Sequence, residues 1–442
     1  MSKRVYGIDL GTTYSCISYV DEHGKPTVLN SAEGEATTPS VVYFESTDNV
    51  VVGRTAKDVS VIHQDRVVST IKRHMGEAGY EYSVDGKSYR PEEISSYILR
   101  KLVKDAAAVT GDEIKDVVIT CPAYFGVTEK EATKQAGIIA GLNVLYVIPE
   151  PTAAAIAYGM EQTEAQNIIV YDLGGGTFDV TLIKISTGEI TVIATDGDKH
   201  LGGKDWDDDI VAYLARAFEA ETGTSAQELM NDLEAYQELL NDAEKIKIRL
   251  TSAKSVQQRV RHQAASAMVE LTREKFDEIT LPRLQRTVSL TETMIEEARK
   301  RGIGKIDKLL LVGGATYMPQ VVERMGKFPF EIKQFDPNQA VAKGAAIFGY
   351  RCALEEMIKI HVSERTGQDV DDIDLAKVSP ELKGDAERKV ATEEGLALPG
   401  LKRLVDTKIN NVSSKSFGVV VIADAASRRE QVSNLVVVND AV

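Results

Sequence analysis

The chain has 442 residues, more than the ~250–300 at which a single hydrophobic core stops growing, so two lobes or more are expected. Its apolar fraction of 43% and charged fraction of 27% are those of a soluble globular protein, and no apolar run approaches the ~20 residues of a membrane span. A formal net charge of −15 argues against nucleic acid or anionic membrane as partners, and the three cysteines, Cys16, Cys121 and Cys352, form neither a C-x-x-C metal pair nor a disulfide framework. Residues 1–5 run directly into a strand pattern without an apolar leader, so a reduced cytoplasm is the expected setting.

In chain order, Val5-Tyr6-Gly7-Ile8-Asp9-Leu10-Gly11-Thr12-Thr13 reads as a strand and a tight polar turn, and residues 16–20 as the returning strand. Ile94, Ile98, Leu99, Leu102, Val103 and Ala106 recur at helix spacing ahead of a buried strand over 117–120. Residues 168–185 repeat the opening plan: an apolar strand ends in Asp172-Leu173, Gly174-Gly175-Gly176-Thr177 makes the turn, and an alternating strand follows. Each hairpin sets an Asp at the end of an apolar strand, then small residues, then Thr. The chain therefore reads as duplicated, with lobes over 1–165 and 166–354 facing one another across a cleft. Ser225-x-x-Glu228 has the form of a capping box and predicts one long helix towards Leu250; another is predicted from near Thr272 to Arg301, with a break at Pro282. These belong to a helical outer subdomain at about 204–300. Residues 309–312 form a further buried strand that ends in a third glycine loop, Gly313-Gly314. Beyond Ala353 the charge density rises. Residues 355–403 read as a solvated helical insert or linker without a core of its own, and 404–442 as a linker with the first two strands of an uncompleted β domain.

Phosphate chemistry needs backbone N–H groups aimed at oxygen, close approach of the chain, and carboxylates for hydrated magnesium. A single Asp-Leu-Gly-Thr-Thr turn commonly serves geometry alone. Two in register, joined by Gly313-Gly314, point to a phosphate grip from two sides. The G-x-x-x-x-G-K-[ST] loop is absent, since Gly302-Ile303-Gly304-Lys305 lacks both the spacing and the hydroxyl, and no strand-led G-x-G-x-x-G occurs. Unaided, Lys72 reads as part of a charged turn and Glu150 as a carboxylate facing a helix start; Trp206 reads as packing, and the six histidines show no ligand spacing.

Residues 8–15, 170–181 (Val170-Tyr171-Asp172-Leu173-Gly174-Gly175-Gly176-Thr177-Phe178-Asp179-Val180-Thr181) and 309–319 (Leu309 through Gly313-Gly314-Ala315-Thr316-Tyr317-Met318-Pro319) resemble the three signatures of DnaK-type heat shock protein 70 chaperones. Glu150-Pro151-Thr152-Ala153-Ala154-Ala155 and His200-Leu201-Gly202-Gly203-Lys204-Asp205 resemble two further stretches, and the likeness runs over roughly residues 3–353. It implies an α/β, actin-like fold: a duplicated, ribonuclease H-like, two-lobed ATPase with a central nucleotide cleft. It also implies ATP and ADP as ligands with Mg2+, and potassium as a further candidate ion. By resemblance Asp9 and Asp172 would hold magnesium through water with Asp179 on the same side. Lys72 would reach the γ-phosphate, and Glu150 and Thr177, beside Asp172, would orient the attacking water. Gly11, Thr12, Thr13, Tyr14, Gly174, Gly175 and Gly176 would surround the phosphates; Gly202, Gly203, Gly313, Gly314, Ala315 and Asn338 would line the nucleotide; and Glu244, Lys247, Ile248, Thr251 and Tyr317 would flank the adenosine.

The departures from the family pattern also carry expectations. Ile248 and Tyr317 stand where relatives sandwich adenine between two arginines, and Ala315 where a serine is usual. The stretch between Arg73 and Tyr89 is short, which shrinks one outer subdomain. Tyr146 and Pro149 occupy positions where members that answer to J-domain cochaperones carry arginine and asparagine, which argues against a standard J-domain partner. Leu401-Lys402-Arg403-Leu404-Val405-Asp406 matches the interdomain linker only faintly. The expected partner is an adenine nucleotide, with a nucleotide exchange factor as a candidate, and unfolded client polypeptides only where a complete substrate domain exists. A filament-forming actin relative and a small-molecule kinase are the alternatives on the same fold.

Overall fold

The computed structural model describes residues 4–159, 164–412, 417–424, 429–436 and 439. Two six-stranded sheets dominate, and their strand orders repeat one another. In the first, Asn143–Pro149, Asp116–Cys121, Tyr6–Asp9, Tyr14–Val20 and Pro26–Leu29 lie side by side, with Thr38–Pro39 paired to the fourth. In the second the order is Glu331–Gln334, Lys308–Val312, Gln166–Leu173, Phe178–Ser186 and Glu189–Asp198. In both, the first three strands run parallel, and the fourth and fifth each pair antiparallel with the strand before. The hairpin echo in the sequence is thus the visible part of a repeated five-strand plan.

The central strands are buried on both faces, so they read as unbroken apolar runs rather than alternations; Ile168, Ile169, Val170, Leu309, Leu310 and Leu311 are all fully buried. Helix Glu150–Gly159 and helix Ala340–Thr366 pack together between the sheets. Their approach depends on glycine. A Cβ on Gly344 would lie 1.8 Å from the Ala153 carbonyl oxygen, and one on Gly7 2.1 Å from the Ala346 nitrogen, so helix backbone sits directly on helix and on strand. One further core joins the outer face of the second sheet to helices Gly203–Thr222, Leu233–Leu250 and Arg273–Lys300, around the fully buried Trp206.

Three local expectations are corrected first. Ser225 accepts an N–H from Gln227 but caps only the short helix Ala226–Asn231. The chain is extended at Asp232 (ψ 111°), which caps a separate helix, Leu233–Leu250, by accepting from Glu234 and Ala235. Pro282 does not break Arg273–Lys300. Both Pro282 and Glu278, whose carbonyl loses its partner, lie on the exposed side of the helix, where solvent can satisfy that carbonyl, while Leu284 and Val288 hold the buried face. The division expected after residue 354 falls inside Ala340–Thr366.

The charged stretch that follows does build a core. Leu354, Ile358 and Val362 pack with Ile373, Val390, Leu401 and Val405, brought in by helices Pro380–Glu393 and Leu398–Asp406. Residues 401–406 are therefore helical rather than an extended linker, since Leu401 and Val405 fall one turn apart and Pro399 starts the helix. Strand Lys408–Asn410 then pairs in parallel with residues 189–191, completing the sixth strand of the second sheet. Phe417–Asp424 and Arg429–Val436 pair with each other.

Candidate functional site

The two hairpin turns meet. A Cβ on Gly175 would lie 1.8 Å from Thr13 Oγ1, and one on Gly176 2.3 Å from Thr12 Cγ2, so the glycines are required by contact between the turns themselves. Within the first turn the Gly11 N–H bonds Ser15 Oγ at 3.1 Å, and Ser40 Oγ donates to the Gly11 carbonyl at 2.8 Å. In the second, the Gly203 and Lys204 amides donate to the Gly174 and Gly175 carbonyls at 2.9 and 2.8 Å, docking the start of helix Gly203–Thr222 on the loop. Gly313 has φ of 83° and lies against the Leu173 carbonyl and Asp172, where a side chain would collide.

A cavity of about 590 Å³ opens between the turns. Every residue of the expected site borders it except Gly176, Gly202 and Asp179. Gly202 packs behind on Gly176, and Asp179 lies beneath the floor, where its Oδ1 accepts the Ala123 N–H at 3.1 Å. Ile248 and Tyr317 form exposed lips at the other end, 57% and 45% accessible.

The floor concentrates charge. Lys72 and Glu150, both nearly buried, form a hydrogen-bonded ion pair. Thr70 in the left-handed region (φ 55°) precedes a 3-10 turn, Ile71–His74, which sends Lys72 inward; Glu150 opens helix Glu150–Gly159. Asp9, Asp172 and Asp179 gather around this one ammonium. Desolvation, then the Glu150 charge, pushes the Asp9 carboxyl up to about 7, against the pull of Lys72 and the Thr120 hydroxyl. The same two causes, desolvation first, hold Asp172 and Asp179 well above the usual carboxylate range. Burial draws Lys72 down, but Glu150 and Asp9 overcome it and its net shift is upward.

Asp179 Oδ2 is buried without a partner. An orphaned carboxylate oxygen among like charges is the environment a cation relieves, so these residues fit the magnesium the resemblance implies. Among the described residues no three His, Cys, Asp or Glu groups stand close enough to hold a metal ion directly.

The pKa directions predict a pH dependence. Asp9, which protonates near 7, and Asp172 and Asp179, whose carboxyls are also raised, bind more protons in the native state than in the unfolded chain, whose carboxyls titrate near ~4, so stability falls as pH rises from there through about 7. With chelator and no nucleotide, the melting temperature is expected to drop by roughly 5 °C between pH 5 and pH 8. Magnesium should recover part of it at pH 8, and Asp9→Asn should flatten the curve. Melting independent of pH in that interval would remove the like-charge account of the floor.

Contacts across the cleft were not legible in the sequence. Arg73 donates to the Gly176 carbonyl at 3.0 and 2.8 Å and to Asp205 at 3.0 Å, tying the Lys72 turn to the second loop. Lys57 pairs with Glu244 and donates to Tyr14 Oη at 2.9 Å, while the Tyr14 hydroxyl donates to Glu244 at 2.8 Å. Asn241 donates to Ser60 at 3.3 Å. Arg73 is adjacent to Lys72, a signal that could have found it; Lys57 carries none.

Facing glycine turns over an acid-lined floor are the geometry of a nucleotide-phosphate cleft, and the chain matches the family described as Hsp70 protein over residues 5–393. It belongs to the Hsp70 family. The fold is accordingly the actin-like ATPase fold, and the chain carries the adenine-nucleotide-binding ATPase domain of that family. The Hsp70 match ends at residue 393, so helix Pro380–Glu393 lies within it while Leu401 and Val405, which complete the second core, lie beyond it.

Proposed function

We propose that this chain hydrolyses ATP slowly as the nucleotide-driven part of a chaperone, with Lys72, Glu150, Asp172 and Thr177 as its catalytic residues. The observation that carries the reading is the Lys72–Glu150 pair among Asp9, Asp172 and Asp179, at the ends of the two facing hairpins. Asp9 and Asp172 would hold Mg2+ through water, with Asp179 beneath; when bound, the ion offsets charge on the phosphate oxygens. Potassium is a further candidate for the same acidic floor. Lys72 turns from Glu150 to the γ-phosphate, where its charge counts most in the transition state. Glu150, released, accepts a hydrogen bond from the attacking water, and the Thr177 hydroxyl helps to fix its line.

The decisive test is phosphate release from ATP alone, in conditions where light scattering stays flat. Steady basal turnover supports the proposal; turnover that needs polymer or an added hydroxylated substrate overturns it in favour of a filament protein or a kinase.

The adenine end departs from its relatives. Ile248 and Tyr317 offer an alkyl side chain and a phenol, so stacking remains while cation–π attraction is lost. Restoring arginine at both positions should tighten ATP binding about tenfold and change the single-turnover rate less. Equal or weaker affinity by calorimetry would count against these residues as the adenine walls.

Tyr146 is 53% exposed and edge-on to Phe348 at 5.2 Å, so this surface presents a phenol instead of a cation, which supports a partner other than a standard J-domain. An exchange factor acting on the cleft is compatible with the cross-cleft contacts, and unfolded client polypeptides are partners only where a complete substrate domain exists. A cytoplasmic setting agrees with three free cysteines, and no helix among the described residues is long and apolar enough to cross a membrane.

A further inference from the structure

Asp207 lies outside the expected site set but borders the cavity, on helix Gly203–Thr222. It is 7% exposed; its Oδ2 accepts Lys247 Nζ at 2.7 Å, and its Oδ1 is buried with no partner. Lys247 Nζ donates a second bond to the Gly203 carbonyl at 2.8 Å, beside the amide that docks on the Gly174 carbonyl. One turn away on the same helix, Glu244 is fully engaged by Tyr14 and Lys57 of the first lobe. Two lysines and two acids thus alternate along the cavity wall, each lysine matched to one acid.

We infer that Asp207 is a positioning residue for nucleotide binding: it holds Lys247 on the Gly203 carbonyl and keeps that ammonium off Glu244, leaving Glu244 to close the cleft through Lys57 and Tyr14. The argument rests on charge and reach. Lys247 already acts on Glu244, pulling its carboxyl down behind the larger pull of Lys57. Neutralise Asp207, and Glu244 is the remaining anion on the Lys247 helix face; an ammonium shared there weakens the cross-cleft pair and loosens the loop-docking end of helix Gly203–Thr222. Such charge-assisted contacts in a desolvated wall are worth more than surface pairs.

The titration of Asp207 agrees with this role. Burial pushes its carboxyl up to about 6 against the pull of Lys247, with Glu244 from the facing helix and Asp208 from its own helix adding to the rise. Tyr14, across the cleft, feels the Asp207 charge in turn. The anion is therefore complete above pH 7 and fades as pH falls through about 6.

The inference rests on the nucleotide reading above, and ADP binding by calorimetry on the full chain separates the two. At pH 7.5, Asp207→Asn is expected to bind ADP about tenfold more weakly than wild type, with the saturated hydrolysis rate changed less. At pH 5.5 the gap should close to about twofold, because the wild-type carboxyl is then mostly neutral. In a Lys247→Met background Asp207→Asn should add nothing. No gap at pH 7.5, a gap equal at both pH values, or an undiminished effect without Lys247 overturns the inference; a wild type that binds no ADP overturns the nucleotide reading instead. Should Asp207→Asn not fold, Lys247→Met alone must flatten the wild-type pH step, and a persisting step has the same overturning force.

Discussion

Replacing Lys72 or Glu150 by alanine is expected to lower single-turnover ATP hydrolysis by ~100-fold or more while nucleotide still binds, as for other lost transition-state contacts. The two variants should nonetheless part company in stability. Lys72 is the one ammonium among Glu150, Asp9, Asp172 and Asp179, so its loss leaves buried carboxylates facing each other and is expected to destabilise the nucleotide-free protein by about 3 kcal/mol. Loss of Glu150 removes a charge that raises all three aspartates and leaves Lys72 beside Asp9, so the melting temperature in chelator should stay level or rise. Opposite stability shifts with a shared loss of rate would show that the pair is kept for chemistry rather than for holding the fold. Unchanged turnover in both variants would remove them from the mechanism.

The legible parts of this protein were those in which chemistry and backbone geometry coincide locally. Asp9 with Gly11-Thr12-Thr13 and Asp172 with Gly174-Gly175-Gly176-Thr177 announce themselves because a turn that touches another turn tolerates few residue types. Cross-cleft partners leave no such mark: Lys57 and Glu244 are 187 positions apart, and either alone is an ordinary charged helix residue. Asp207 was passed over for the same reason, being one of four aspartates in residues 205–209. The second core was hidden by averaging. Charge dominates residues 355–403, yet Leu354, Ile358 and Val362 recur every fourth residue, as do Leu401 and Val405, which is a buried helical stripe within a polar segment. Asp232 was overlooked because Ser225 offered an earlier cap, although an Asp preceding a helical run is an equally good one.

That second core makes truncation after the ATPase lobes costly. Cutting after Leu354 divides Ala340–Thr366 in its middle and strips Leu354 of Ile373, Val390 and Leu401, at about 2 kcal/mol for that side chain alone. It also removes Lys408–Asn410, so residues 189–191 become an unpaired edge of a large sheet, a template for association between copies. The contact of Thr152 with Asn411 at 3.0 Å goes too, two residues from Glu150. A chain ending at residue 354 is therefore expected to melt roughly 3–5 °C lower and to associate in sedimentation, with an altered hydrolysis rate. A chain ending at 412 keeps the core, the sixth strand and the Thr152 contact, and should match the full chain in melting and basal rate. If the shorter chain instead stays monomeric with unchanged melting and turnover, residues 355–412 are an appendage and their packing carries no part of the ATPase.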